Sequence, residues 1–297
     1  MKKTLGLTLL LLAAALSQSS NVRIIDIQSP GGEVSGNPRN GPLTFTNPTA
    51  GGVVGKVKDL QINASKATLQ APSGKTLEQS KGERTATFEG NITVKRDRMT
   101  AKGPKLTYQE STGLGVLTGP AQMRQEPKDD KSDPVEVAAS KMTFDVDTDV
   151  STSEGEVTLK NGNQEGQSDA VYYEEKRGLA IFTDGRQVVL TRKRSGADGN
   201  LIIQAKEVRS LTNDKRLIAM GGVTLVDGNT TVTGDSLTYD DKTGIAIVSG
   251  KPAVSENTKE KVKLSTPVIE HNVNKHQSNR YTKPFTLPVN DFQKTAK

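Results

Sequence analysis

Residues 234–254 read GDSLTYDDKTGIAIVSGKPAV, and this stretch decides the fold. Leu237 and Tyr239 flank Thr238, a period of two that puts the apolar side chains on one face of a strand and the threonine on the other. Asp240 to Gly244 is turn chemistry, closed by a glycine suited to positive φ. A short apolar run, Ile245–Val248, follows and ends at Gly250. Residues 103–123, GPKLTYQESTGLGVLTGPAQM, run through the same order.

Three further copies complete the series. Taking Leu106, Met142, Val171, Val208 and Leu237 as anchors, a small residue stands three positions earlier each time: Gly103, Ala139, Ser168, Ala205 and Gly234. An aromatic stands two positions later in every copy except that of Val208, where Ser210 replaces it. A glycine follows each anchor (Gly119, Gly155, Gly185, Gly222, Gly250), after which most copies resume alternation, as in Glu156-Val157-Thr158-Leu159. Anchor spacings alternate between long and short, which suggests paired copies forming a larger unit. Thr, Val, Tyr and Ile suit pleated strands, and no window outside the first residues shows helical apolar spacing. Each copy is too small to bury its own apolar face, so the copies must stack. A weaker copy precedes them, with Ala64, Ala67 and Leu69 at matching offsets and Gly90-Asn91-Ile92-Thr93-Val94 as its closing strand.

Composition bounds the function. The chain has 297 residues, formal net charge +6, 33% hydrophobic residues and 28 glycines. Low apolar content is a mark of disorder, but here the apolar residues gather in alternating runs, so folded strands are expected. No cysteine is present, so strand pairing and apolar burial must supply stability without disulfides. Lys2 and Lys3, the apolar Leu5–Ala15 stretch, and small residues at Ala13, Ala15 and Ser17 read as a secretory signal peptide over residues 1–20. That stretch is shorter than the roughly 20 residues of a spanning helix, and the lack of cysteine excludes a lipoprotein anchor. Residues 21–56 read as a Gly/Pro-rich cap, 57–274 as the repeat domain, and 275–297 as a frayed tail.

The motif as a whole resembles the repeat of the OstA-like family, which includes the periplasmic lipopolysaccharide-transport protein LptA, the soluble part of LptC and the N-terminal domain of LptD. Lys105–Met123 and Gly234–Val254 carry the resemblance best, and it spans roughly Ala64–Glu270. It implies an all-β, elongated, twisted antiparallel jelly roll of stacked repeats, with a V-shaped apolar groove for acyl chains. It also implies periplasmic location, edge-strand pairing with OstA-domain proteins of the inner and outer membranes, and a lipopolysaccharide or other envelope glycolipid as ligand. Self-association into a homo-oligomer is left open. The greater length, the N-terminal insert and the lysine-rich tail depart from the family pattern.

Groove-lining candidates are Leu106, Tyr108, Met142, Phe144, Val171, Tyr173, Leu237 and Tyr239, residues that would equally fill a closed core. A positive surface suits phosphorylated lipid heads, although the Arg192-Lys193-Arg194 cluster reads as a solvated turn. Asp145-Val-Asp147-Thr-Asp149 lacks the glycine and terminal glutamate of a calcium loop and occupies a turn position. His271 and His276 lack further ligands for zinc. No nucleophile elbow, phosphate loop or dinucleotide fingerprint occurs, so no catalytic residue, metal or cofactor is expected. Nucleic acid is not expected either, since no aromatics interleave with the basic residues. The rivals to a non-enzymatic lipid carrier are an envelope scaffold built from the same repeat and a secreted polysaccharide-active β-solenoid enzyme.

Overall fold

A computed structural model describes residues 23–127, 133–194 and 199–295, apart from the Arg186 side chain. The leader expected at residues 1–20 lies outside them. Apart from one short 3-10 turn, Val289–Phe292, the regular structure of the described residues is strand. Six short strands open the fold: β1 (Asp26–Gln28), β2 (Glu33–Gly36), β3 (Leu43–Thr46), β4 (Val53–Val57), β5 (Leu60–Ala64) and β6 (Lys66–Gln70). Twelve long strands follow: β7 (Thr85–Arg96), β8 (Met99–Gln109), β9 (Leu114–Gln125), β10 (Val135–Asp145), β11 (Val150–Asn161), β12 (Gln164–Glu174), β13 (Leu179–Arg192), β14 (Leu201–Leu211), β15 (Arg216–Asp227), β16 (Thr230–Asp240), β17 (Ile245–Asn257) and β18 (Val262–Asn272). Short β19 (Gln277–Arg280) closes the series.

From β7 to β19 each strand pairs antiparallel with the next. The pairing breaks register once near the middle of each long strand, as between Glu89 and Ile92 in β7 or Thr233 and Ser236 in β16. Each long strand is therefore creased, and its two halves belong to two facing walls. The wall whose strands join through four-residue turns (residues 110–113, 146–149, 175–178, 212–215, 241–244 and 273–276) is here termed the turn arm. The opposite wall, the loop arm, ends in tight turns such as Gly162-Asn163 or in longer connections. Together the arms make the expected all-β jelly roll, folded into a V along the crease.

The repeat motif encodes that crease. Gly103, Ala139, Ser168, Ala205 and Gly234 all fall at register breaks, as do Gly119, Gly155, Gly185, Gly222 and Gly250. The sequence reading ends a short strand at each glycine and begins another. The structure instead carries one strand of 11 to 14 residues through the bend. At Gly119 φ is +88°, and a Cβ would stand 2.5 Å from Pro104 Cγ. Gly155 has φ +79°, with Glu156 also positive at +48°, and a Cβ there would meet Ser140 Cβ at 2.9 Å. The alternating anchor spacing has a plain origin as well. Nine residues separate β9 from β10 and eight separate β13 from β14, against two between β11 and β12 and between β15 and β16, so the repeating unit is one creased hairpin rather than a pair.

At β7 the sheet divides. Its first half pairs with β6, which continues through β3 to β2, while its second half pairs with β5, which continues through β4 to β1. The weak first copy is thus a creased strand cut in two, with Ala64 at the end of β5 and Ala67 and Leu69 facing inward from β6. The segment expected as a loop-heavy cap extends both walls.

The C-terminal segment departs from the frayed tail expected. Beyond β19 it returns over the outer face of the turn arm and seats Phe292, 1% exposed, against Leu179, Ile181, Leu211 and Ile218. Arg177 donates to the carbonyls of Asp291 (3.1 Å) and Gln293 (2.7 Å), and Arg209 to that of Phe292. Glu174 accepts from the Thr295 N–H and hydroxyl, both at 2.8 Å. Lone Asn, Lys and Pro residues read as disorder, but an apolar anchor flanked by cations and one carboxylate orders them.

Replacing Gly155 with valine imposes a β-branched residue on a positive φ and a sub-van-der-Waals contact. We expect a loss of at least ~2 kcal/mol, read as a lower denaturant midpoint with an unchanged m value. The same change at Thr158, an exposed strand position, should cost less than ~0.5 kcal/mol.

Candidate functional site

The space between the arms is the candidate site. Alternation along the turn arm sends Leu106 and Tyr108 (β8), Met142 and Phe144 (β10), Val171 and Tyr173 (β12), and Leu237 and Tyr239 (β16) onto its inner wall. All eight pack in or against one core cluster. Seven are buried, and Tyr173 is partly so. The loop arm faces them with Ile92, Val94, Ala101, Val157, Leu225 and Val232, the alternating residues beyond each crease, which the anchor-centred reading passes over.

Packing is uneven along the wall. β11 lies between β10 and β12, and its Ser151 pairs with Phe144 on one side and Tyr173 on the other, while Ser153 pairs with Met142 and Val171. Two serines therefore stand where the flanking strands place large side chains. A cavity of about 30 Å³ lies there, bounded by Met99, Met123, Phe144, Ser151 and Tyr173, with Arg96, Asp149 and Glu175 among its polar lining. That volume is large enough for a water and falls far short of an acyl chain. A shallower concavity of about 680 Å³ over the loop arm of β8–β12 shares Met123 with it and reaches Val137 and Leu159.

The mouth of the V is bridged by ions. Acidic residues of the turn-arm rim meet cations from the loop-arm rim: Asp149 meets Arg96 at 3.5 Å, Glu175 meets Arg98 at 3.7 Å, and Asp241 is bonded by Arg192. Gln125 also donates to Glu175 at 2.9 Å. The Asp145–Asp149 segment is a turn, as expected, with its Asp147 carboxylate engaged by Arg23 and Lys58. Arg192 and Arg194 are not the solvated turn expected, since each is spent on a carboxylate of the body.

Both ends of the space carry buried ionic nodes. Near the N-terminal end, Glu110 (1% exposed) accepts from the N–H groups of Ile25, Gly82 and Arg84 and from the Arg84 guanidinium at 2.6 and 2.9 Å. Tyr108 donates to the Arg23 carbonyl beside it. Near the C-terminal end, Asp227 (1% exposed) meets Arg194 at 2.5 Å, His271 Nε2 at 2.8 Å and His276 Nδ1 at 2.9 Å. His271 Nδ1 lies 2.8 Å from the Ser278 hydroxyl, itself 2.7 Å from that of Ser255. The paired histidines, unassigned in the sequence, thus belong to a bond between the arms.

Burial tends to raise the Glu110 and Asp227 carboxyls, but the Arg84 bond with two backbone N–H groups, and the His271 and Arg194 bonds, hold them below the usual carboxylate range. Asp241 is held low in the same way by Arg192 against its burial. Burial and the nearby Asp241 charge push the Tyr239 hydroxyl up to about 12.

Residues 44–150, about a third of the chain, match the family described as "LptA/(LptD N-terminal domain) LPS transport protein". The resemblance read from the repeat is present there, and the same creased hairpins continue past that segment to β18. A search of curated proteins finds no match. Among solved structures the chain is similar to LptH of Pseudomonas aeruginosa, titled the LptA homologous periplasmic component of the lipopolysaccharide transport device. The identity is 15%, with 53% of this chain and 100% of that chain covered and a TM-score of 0.38.

Removing one partner of a buried ion pair leaves an uncompensated charge, worth ~3–5 kcal/mol, whereas an exposed pair is worth ~0–1 kcal/mol. Glu110→Ala is therefore expected to lower stability by at least ~3 kcal/mol, and Glu175→Gln by less than ~1 kcal/mol, in chemical denaturation. The depressed carboxyls give the pH profile its sign. Their contribution is complete above the unfolded carboxylate range, about pH 4, and is lost as pH falls through the lower folded values. The melting temperature should hold between about pH 5 and pH 7 and fall below about pH 4, and Asp227→Asn should flatten that fall.

Proposed function

We propose that this chain is a non-enzymatic envelope lipid carrier of the lipopolysaccharide-transport type, holding acyl chains between the turn arm and the loop arm. One observation carries the reading. A sequence segment matching a transport-protein family forms, with the rest of the chain, a two-walled body to whose interior each of twelve successive strands contributes apolar side chains. The walls now pack against each other, so an acyl chain would have to part them, and burial at about 0.8 kcal/mol per CH₂ is the gain that offsets that parting. The eight inner-wall residues named above are the proposed contacts, and hand-over to partners supplies direction without bond chemistry. The expected location is the periplasm, reached by way of the leader.

Assembly belongs to the same proposal. β1 and β2 end the two walls at one side of the stack, while β19 and the first half of β18 end them at the other. Among the described residues, Val34 on β2 and Val262 on β18 are the large apolar residues left exposed, each 57%, and both sit on these terminal strands. Exposed edges with apolar side chains favour pairing with another sheet. A scaffold reading draws on the buried nodes at both ends, which make a stiff body, but it leaves the weakly packed middle without a purpose.

Native mass spectrometry of protein gently extracted from its own envelope should show acyl-lipid adducts. Phe144→Asp should lose them and Phe144→Leu should keep them, while a lipid-free wild type would overturn carriage in favour of the scaffold. Val262→Lys should weaken self-association or partner capture about tenfold in analytical ultracentrifugation, since edge lysine opposes strand addition.

A further inference from the structure

The carrier reading leaves open where lipid enters, and resting on that reading we propose a side mouth. It lies between the end of β9 with the Asp97-Arg98 turn and the 175–178 turn, and it selects an acyl chain bearing one anionic head. The ends are poor candidates. Glu110 and Asp227 bind their partners at 2.5–3.1 Å, in places at most 1% exposed, and each node joins segments that would have to separate for end-on passage.

The middle of the seam is built differently. Arg96 is held by Asp59 of its own rim at 2.9 Å and crosses the mouth only at 3.3–3.5 Å, to the Asp145 and Thr148 carbonyls and to Asp149, while Arg98 reaches Glu175 at 3.7 Å, so these cross-mouth contacts are longer than a charge-assisted hydrogen bond. Directly beneath lie Met99, Met123 and Tyr173, all half-buried, around the gap left by Ser151. Met is the most adaptable apolar side chain, and a wall short of atoms yields more readily than a packed one. Met123 also lines the wide concavity outside, so the inner gap and the outer surface meet at one side chain.

The head is read by the rim. A phosphate or carboxylate offers Arg98, and the terminal nitrogens of Arg96 whose Nε stays on Asp59, the acceptor oxygens that Asp149 and Glu175 now supply at long range. Lys176, 87% exposed beside Asp149, adds a further cation at the lip. An uncharged amphiphile gains only the apolar floor.

The chain's lack of cysteine makes the test direct. Gln125→Cys with Glu175→Cys places one thiol on each lip for a bismaleimide cross-link. Ser255→Cys with Ser278→Cys, whose hydroxyls lie 2.7 Å apart, forms a disulfide across the C-terminal end. Uptake of a fluorescent polyene fatty acid is followed by stopped flow before and after each closure. Closing the mouth should slow uptake about tenfold or more, and closing the end should change it less than about twofold. Arg96→Gln with Arg98→Gln should weaken the fatty acid about tenfold, the loss expected of a charge-assisted contact, and leave the corresponding fatty alcohol unchanged. Uptake blocked at the end but not at the mouth overturns the side route, and equal loss of acid and alcohol overturns the anionic rim. A wild type that binds neither probe overturns carriage itself, a result separate from either.

Discussion

A strand of eleven residues is about 36 Å long at 3.3 Å per residue, so a strand that serves both walls of a narrow body must bend sharply partway. The bend is the constraint from which the rest follows. It needs an extra residue on one side of the pairing and backbone angles that side chains resist, the geometry of a β-bulge. Small residues on the even strands and glycines on the odd strands meet that need in neighbouring positions, so the crease runs unbroken from β7 to β18. Once it exists, a single hydrogen-bonded sheet provides two facing apolar surfaces with no second sheet to dock. Stability without disulfides or a helical layer becomes attainable because every hairpin covers the next.

Closure of the two walls is a separate matter, and charge governs it. Apolar side chains fill the interior but leave a long mouth, and ion pairs bridge it, turn-arm acids meeting loop-arm arginines and, at the C-terminal end, the loop-arm Asp227 meeting the turn-arm histidines. The pairs are not equivalent. Those at the ends are buried and surrounded by donors, so breaking them costs several kcal/mol, while those at the middle are long, partly exposed and screened by salt. The body is therefore stiff at its ends and compliant between them, and the two serines of β11 place the thinnest packing in the compliant part.

Much of this was legible in the sequence, and the reasons are specific. The anchor-x-aromatic alternation placed Leu106 through Tyr239 on one face because a period of two survives any bend that keeps each arm extended. The recurring glycines were equally visible, but a glycine that ends a strand and one that creases it look alike until the pairing partner is known. Ser151 and Ser153 stood in plain view as a break in the apolar pattern, yet only their registration between Phe144 and Tyr173 makes them a gap. Contacts between distant segments had no local signal at all. Nothing near Asp227 points to His271 or Arg194, and nothing in residues 281–295 announces that Phe292 finds a pocket on β13–β15.

The buried nodes raise the question of why ions close a wall that apolar residues could close at lower desolvation cost. A repeat protein supplies an answer. Successive hairpins present nearly the same inner face, so two walls joined only by apolar contact could settle at several offsets of almost equal energy. A polar group that must be satisfied removes that degeneracy. Glu110 finds its donors at Ile25, Gly82 and Arg84, and Asp227 finds Arg194, His271 and His276 where the end of β13 meets the last turn. Any other offset strands a buried carboxylate, a larger loss than a shifted leucine. Fixing the offset at both ends then determines which lips face each other at the middle, and so brings Arg96 and Arg98 opposite Asp149 and Glu175.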